Sequence, residues 1–160
     1  MNLKTRRLAE AAVIAAVYAV LTIVLAPISY GPLQLRVSEA LTVLPALTPA
    51  AIPGLFIGCL IANMMSPVGL PDIVLGSIAT LISAWLSYKL KDRPALVPLP
   101  PVIVNAVIIG AELKILYTPQ MSLAACMGWV ALGELGACYL IGYPLLRLLK
   151  RYPGIFGGDK

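Results

Sequence analysis

Glu112, Glu134 and Asn105 stand inside long apolar runs, and a carboxylate in hydrocarbon costs several kcal/mol unless it faces a cavity or a partner. Counted inward from the outer ends at Tyr117 and Ser122, Asn105 and Glu134 both lie 12 residues in. At 1.5 Å per residue that is about 18 Å, so the two can meet near the bilayer middle. Glu112 is seven residues from Asn105 on the same helical face, about 7 to 8 Å below the outer surface. A carboxylate accepts two parallel hydrogen bonds from adjacent N–H groups, and an Asn amide both donates and accepts. That is chemistry for recognising a small polar guest from outside. Lys114 lies two residues from Glu112, faces elsewhere and is expected to snorkel outward, leaving no intramembrane cation beside either acid.

Other polar residues surround these three. Asp72, Gly76, Thr80, Ser83 and Ser87 recur at i, i+4, i+8, i+11 and i+15, one stripe down a helix that Asp72 could cap. Its hydroxyls are expected to bond the carbonyl four residues back. Arg36, Ser38 and Glu39 precede two short apolar runs broken by Pro45, Pro49, Pro53 and Gly54; Asn63 closes the second run. Arg36 and Glu39 are three apart and can pair on one face, with Ser38 or Thr42 supplying local hydrogen bonds; a charged helix end at the membrane surface fits the spacing equally. Trp129, Tyr117 and Tyr30 lie toward the outside, where a ring can stack on a flat guest or sit in the aromatic belt. The belt is favoured for the tyrosines, and Trp129 is about 140° off the face of Glu134. Glu10, near the inner end of the first run, suits the interface or a partner.

The elements that must position these groups follow from composition. The chain of 160 residues is 60% hydrophobic and 12% charged, with mean hydropathy +0.93, whereas soluble proteins carry about 25% charged residues. It is read as an all-α integral membrane protein, one compact bundle of six spans forming a single domain over residues 1–160. The spans are expected at about 8–26, 39–50, 52–65, 72–90, 98–117 and 122–149, the second and third short. The opening MNLKTRR precedes a run too long for a signal-peptide core. With both termini cytoplasmic, ten of the twelve basic residues fall inside, and only Arg36 and Lys114 outside.

The net charge of +5 is scattered over segment ends and does not point to nucleic acid. Cys59, Cys126 and Cys138 sit in apolar runs as packing residues, and histidine is absent, so no metal or cofactor is expected. There is no GxxxxGK[ST] loop, so this chain cannot hydrolyse ATP by that route. In the first span Ala11, Ala15 and Ala19 form a stripe with Ala12 and Ala16 beside it, which admits a close helix from either the same chain or a partner.

As a string, LRVSEALTVLP followed by TPAAIPGLFIGCLIAN resembles the QueT family of queuosine-precursor S components of energy-coupling factor (ECF) transporters. The resemblance implies a substrate-binding subunit of the bacterial cell membrane, docking through Ala11, Ala12, Ala15, Ala16 and Ala19 on a coupling subunit driven by two ATPases. It implies that residues 30–36, YGPLQLR, close over the substrate. A deazaguanine base then suits the binding set of Glu134, Glu112, Asn105, Arg36, Glu39, Asp72, Trp129 and Asn63, with one acid reading the guanine-like edge and the other an ammonium. A nearby reading replaces the ligand with thiamine or riboflavin. A membrane enzyme and a purely structural bundle rank below, the former because no His, metal cluster or nucleophile elbow accompanies the acids.

Overall fold

A computed structural model describes residues 2–30, 35–67, 69–152, 154 and 156. The regular elements among them are all helical. Four segments are long and apolar enough to cross a membrane: Leu3–Val24, Leu70–Lys89, Pro94–Leu116 and Leu123–Leu149. Two shorter apolar segments, Val37–Ala46 and Ala51–Asn63, lie between the first and second of these. The protein is a membrane protein on this pattern. Its elements fall within a few residues of the six apolar runs read from the sequence.

Helix α1 (Leu3–Val24) is capped by Asn2, whose side chain accepts from the Lys4 amide at 3.4 Å. It buries Ala11, Ile14, Ala15, Tyr18, Ala19 and Thr22, a stripe at three- and four-residue spacing, and exposes Val13, Val17, Val20 and Val24 on the opposite side. A single turn, α2 (Ala26–Ser29), follows. Helix α3 (Ala51–Asn63) packs on the buried stripe through Gly54 and Gly58. A Cβ on Gly54 would lie 2.7 Å from the Ala11 carbonyl oxygen, and one on Gly58 2.7 Å from that of Ala15. Small residues at four-residue spacing on both helices thus bring the backbones together.

This divides the alanine stripe proposed from sequence as a docking face. Ala11, Ala15 and Ala19 are covered by their own chain, whereas Ala12 and Ala16 are exposed. The division is physical, since the glycines of α3 leave a groove that only the alanine backbone fills. Gly58→Ala is expected to force α1 and α3 apart and lower stability by about 1 to 3 kcal/mol, the usual cost of overpacking. Thermal unfolding in detergent measures it; an unchanged midpoint would show that the pair has slack.

The second apolar run differs from expectation. It is a 3₁₀ helix over Val37–Ala46 rather than an α-helix over 39–50, with Pro45 inside it. Such runs rarely exceed three or four residues, and proline removes a donor that α-helical winding would use. The departure is matched across the bundle. The last span comprises α6 (Leu123–Leu135), a π-helical stretch (Gly136–Gly142) and α7 (Tyr143–Leu149). The π stretch lies against the 3₁₀ segment, where a Cβ on Gly142 would come within 2.9 Å of the Ala40 carbonyl oxygen. Backbone off α geometry at membrane depth is tolerated where protein satisfies it. Here Thr42 Oγ1 donates to the Glu39 carbonyl at 2.6 Å and Cys138 Sγ to the same oxygen at 3.5 Å.

Helix α4 (Leu70–Lys89) begins after Gly69, which has φ 76°. One side of α4 packs through Ala84 with Tyr18, Leu55 and Cys59, the other through Ala79 with Ile109, Leu113, Cys126 and Val130. It is therefore the central wall between α1/α3 and the pair formed by α5 (Leu99–Leu116) and α6. The cysteines are free and buried, as their surroundings suggested.

Candidate functional site

The α4 stripe turns inward onto this wall, and the buried charges gather around it. Arg36 is 5% exposed, and its Nη2 meets both oxygens of Asp72 at 3.0 and 3.1 Å. The Tyr30 ring lies 5.7 Å from the guanidinium carbon, and the Tyr30 hydroxyl donates to the Ala62 carbonyl. Asn63 is fully buried, donating to the Asp72 carbonyl oxygen at 2.8 Å and to Cys59 Sγ at 3.4 Å. Room for this arrangement comes from Gly76, where a Cβ would stand 2.6 Å from Asn63 Nδ2 and 3.1 Å from Asp72 Oδ1.

Three expectations are corrected here. Arg36 does not pair with Glu39, because Arg36 is an extended residue ahead of the 3₁₀ helix and its side chain reaches α4 instead. Asp72 is not a cap: the helix starts at Leu70, and the carboxylate turns to Arg36. The buried acids also have a cation near them, since Arg36 is itself buried within the protein and paired with Asp72.

Deeper in the bundle, Asn105 Nδ2 donates to Glu134 Oε1 at 2.8 Å, the meeting that equal depth on neighbouring helices suggested. Glu134 Oε2 accepts from Cys138 Sγ at 3.4 Å. Glu39, 1% exposed, is an electrostatic neighbour of Glu134; its Oε1 accepts from the Tyr18 hydroxyl and from Thr80 Oγ1, the latter at 3.5 Å. Thr80 also reaches Cys59 Sγ at 3.2 Å, and Ser87 Oγ donates to the Val97 carbonyl at 2.8 Å. Thr80 and Ser87 thus bond to other segments rather than back along their own helix, while Ser83 Oγ is buried without a partner. Lys114 Nζ donates to the Pro119 carbonyl, turned outward from the acids. Trp129 does not belong to the site. It is 45% exposed on the outer surface of α6, as its angle from Glu134 requires.

Glu112 is different from every other buried acid. It is 5% exposed, and neither carboxylate oxygen has a hydrogen-bond partner. The charged groups acting on it are Asp72 and Arg36. Among the described residues, other buried side-chain atoms without partners include Arg36 Nε, Glu39 Oε2, Asn63 Oδ1 and Ser77 Oγ.

Across residues 8–151 the chain matches the family model described as QueT transporter. The chain belongs to the QueT transporter family. It is 38% identical over 92 residues to the "Queuosine precursor transporter QueT" of Lactococcus lactis subsp. cremoris (strain MG1363), an alignment covering 56% of this chain. That alignment spans about half, 54%, of the relative's length. No solved structure matches the chain.

Within this QueT family member, two contributors to the polar centre were missed in the sequence. Tyr18 holds Glu39, and Thr22 Oγ1 lies 2.6 Å from Ser38 Oγ. Both continue the stripe of Ala11 and Ala15 at three- and four-residue spacing, so their shared inward face was the available signal. Residues 31–34 of the segment read as a lid lie outside the described residues; Tyr30 and Leu35 flank them. A cavity of about 520 Å³ lies elsewhere, lined by Ala9, Val13, Ile14, Leu44, Leu145 and Leu149, with Arg6 and Glu10 at its edge. Glu10 is engaged there by Arg6 at 3.2 Å and Thr48 at 3.0 Å. None of the polar centre lines this groove, and its apolar walls give a polar heterocycle little to bond.

Proposed function

We propose that this protein is the substrate-binding membrane subunit of an ECF-type transporter and captures a queuosine precursor, a deazaguanine-type base, from outside the bacterial cell. Six spans, the second and third short, form one domain with both termini cytoplasmic, and energy comes from two partner ATPases through a coupling subunit. The relative named as a queuosine precursor transporter supports the substrate class.

The observation that carries the reading is the kind of polar atom left unpaired. Glu39 Oε2, Asn63 Oδ1 and both oxygens of Glu112 are acceptors, Arg36 Nε is a donor, and the hydroxyls of Ser29, Ser77 and Ser83 serve either way. Buried polar groups normally find partners, so an acceptor-rich set of orphans is complementary to a donor-rich guest. The N–H edge of a guanine-like ring is such a guest, and its carbonyl would accept from a donor such as Arg36 Nε. Glu134, positioned by Asn105, is the deeper acceptor.

Purified full-length protein should bind a 7-deazaguanine base one to one, without turnover, in a calorimetric titration. No heat and no thermal shift with any such base would refute the assignment. Docking makes a separate prediction. Ala16 lies on the exposed side of α1, so Ala16→Leu should leave binding unchanged while cutting uptake by reconstituted transporter at least about tenfold, the loss of roughly 1.4 kcal/mol of contact. Unchanged uptake would remove this face from the interface.

A further inference from the structure

We propose that the apolar groove between α1, the 3₁₀ helix and α7 seats one acyl chain of an anionic phospholipid, with the lipid phosphate held by Arg6 at the end of the groove. Its dimensions, its walls and the charge around its mouth lead to the same occupant.

The groove runs along α1 from Arg6 to Val17. At 1.5 Å per residue that is about 16 Å, close to the depth of one leaflet of a hydrocarbon core about 30 Å thick. Spread over this length, a volume of about 520 Å³ leaves a cross-section of about 32 Å². A helix with its side chains is 10–12 Å across and needs roughly 80 Å² or more, so it can lie over the groove but cannot enter it. A single alkyl chain can. The walls are apolar, with Val13, Ile14, Leu41, Leu44 and Leu145 among them, and Val13 and Val17 are 63% and 43% exposed, so the groove opens sideways from α1.

Its mouth is basic. Thr48 bonds Glu10 on α1, and the neighbouring Leu47 packs with Leu146 of α7, so the start of α1 and the end of α7 lie at the same end of the bundle. Lys4, Arg6 and Arg7 on α1, with Arg147, Lys150 and Arg151 around the end of α7, stand there against one acid of these stretches, Glu10. That carboxylate is already held by Arg6 Nε and Thr48 Oγ1. Arg147 lies over the Tyr143 ring and Lys150 donates to the Lys91 carbonyl, so these two add to the field rather than to the contacts. Arg6 is the cation on the groove itself, with its side chain 43% exposed. A guanidinium has five N–H donors, and the bond from Nε leaves its fork for phosphate oxygens. Basic clusters at helix ends attract anionic headgroups, and the groove beside Arg6 fixes one of them in place.

The test follows thermal unfolding of the full-length protein in neutral detergent with added dioleoylphosphatidylglycerol or dioleoylphosphatidylcholine, which share their chains and differ in headgroup charge. At a hundredfold excess over its dissociation constant, phosphatidylglycerol should raise the midpoint by roughly 5 to 10 °C, and phosphatidylcholine by much less. Arg6→Gln should bring the two lipids level. Val13→Trp, which fills the groove from an exposed position, should remove the advantage of phosphatidylglycerol with every charge kept. Equal shifts in wild type would overturn the proposal. So would an advantage that survives either substitution, because the lipid would then only be gathering on the basic helix ends. If phosphatidylglycerol has no effect on the protein alone and Val13→Trp abolishes capture by the coupling subunit, the groove belongs to a protein partner instead. Ligand binding at the polar centre plays no part in these readouts, and the wild-type comparison decides even if a variant fails to fold.

Discussion

Asp72→Asn is expected to lower the stability of the protein by about 3 to 5 kcal/mol, the cost of leaving a buried charge without its counter-ion. Arg36 Nη2 contacts both Asp72 oxygens, and at 5% exposure the guanidinium has no route to water that would soften the loss. Asparagine keeps the shape and one acceptor oxygen but not the charge. The measurement is thermal or denaturant unfolding in detergent, set beside the double variant Arg36→Met/Asp72→Leu. The double variant should recover most of the loss, because apolar residues of similar volume commonly replace a buried pair at little cost. If the double variant is no more stable than Asp72→Asn, the damage comes from contacts other than the ion pair, with the Asn63 bond to the Asp72 backbone the first to suspect.

Glu134→Gln is expected to weaken ligand binding about a hundredfold, roughly the loss of one strong charge-assisted hydrogen bond, while the bundle stays folded. Glutamine retains an oxygen for the Asn105 amide but turns an N–H toward the position where Cys138 Sγ now donates. It therefore loses an acceptor on the side where a base edge would bond. Binding and melting should be followed on the same preparation. A melting point that falls as far as the affinity would make Glu134 a residue that glues α5 to α6, with no role in recognition.

The depth of these groups was legible in the sequence because depth depends only on counting along helices. Asn105 and Glu134 sit equally far from the turn joining their helices, and they meet. The polar stripe of α4 and the shortness of residues 52–65 follow in the same way from periodicity and length. Lateral partners were not legible. Arg36 and Asp72 are far apart in sequence, and the rule that favours i, i+3 pairs applies only when both residues belong to one α-helix, which Arg36 does not. The alanine stripe shows the same limit. Its spacing demanded a closely packed neighbour, but only Gly54 and Gly58 on α3 determine that the neighbour is internal. Winding other than α left no mark beyond Pro45, so the 3₁₀ and π segments emerged only with the fold.

The tighter winding of Val37–Ala46 has a consequence for reach. Three residues per turn climb about 2.0 Å each, against 1.5 Å in an α-helix, so these ten residues extend about 5 Å further than ordinary coiling would carry them. That gain is close to one α-helical pitch. A run of ten residues thereby stretches part of the way that a longer span would cover.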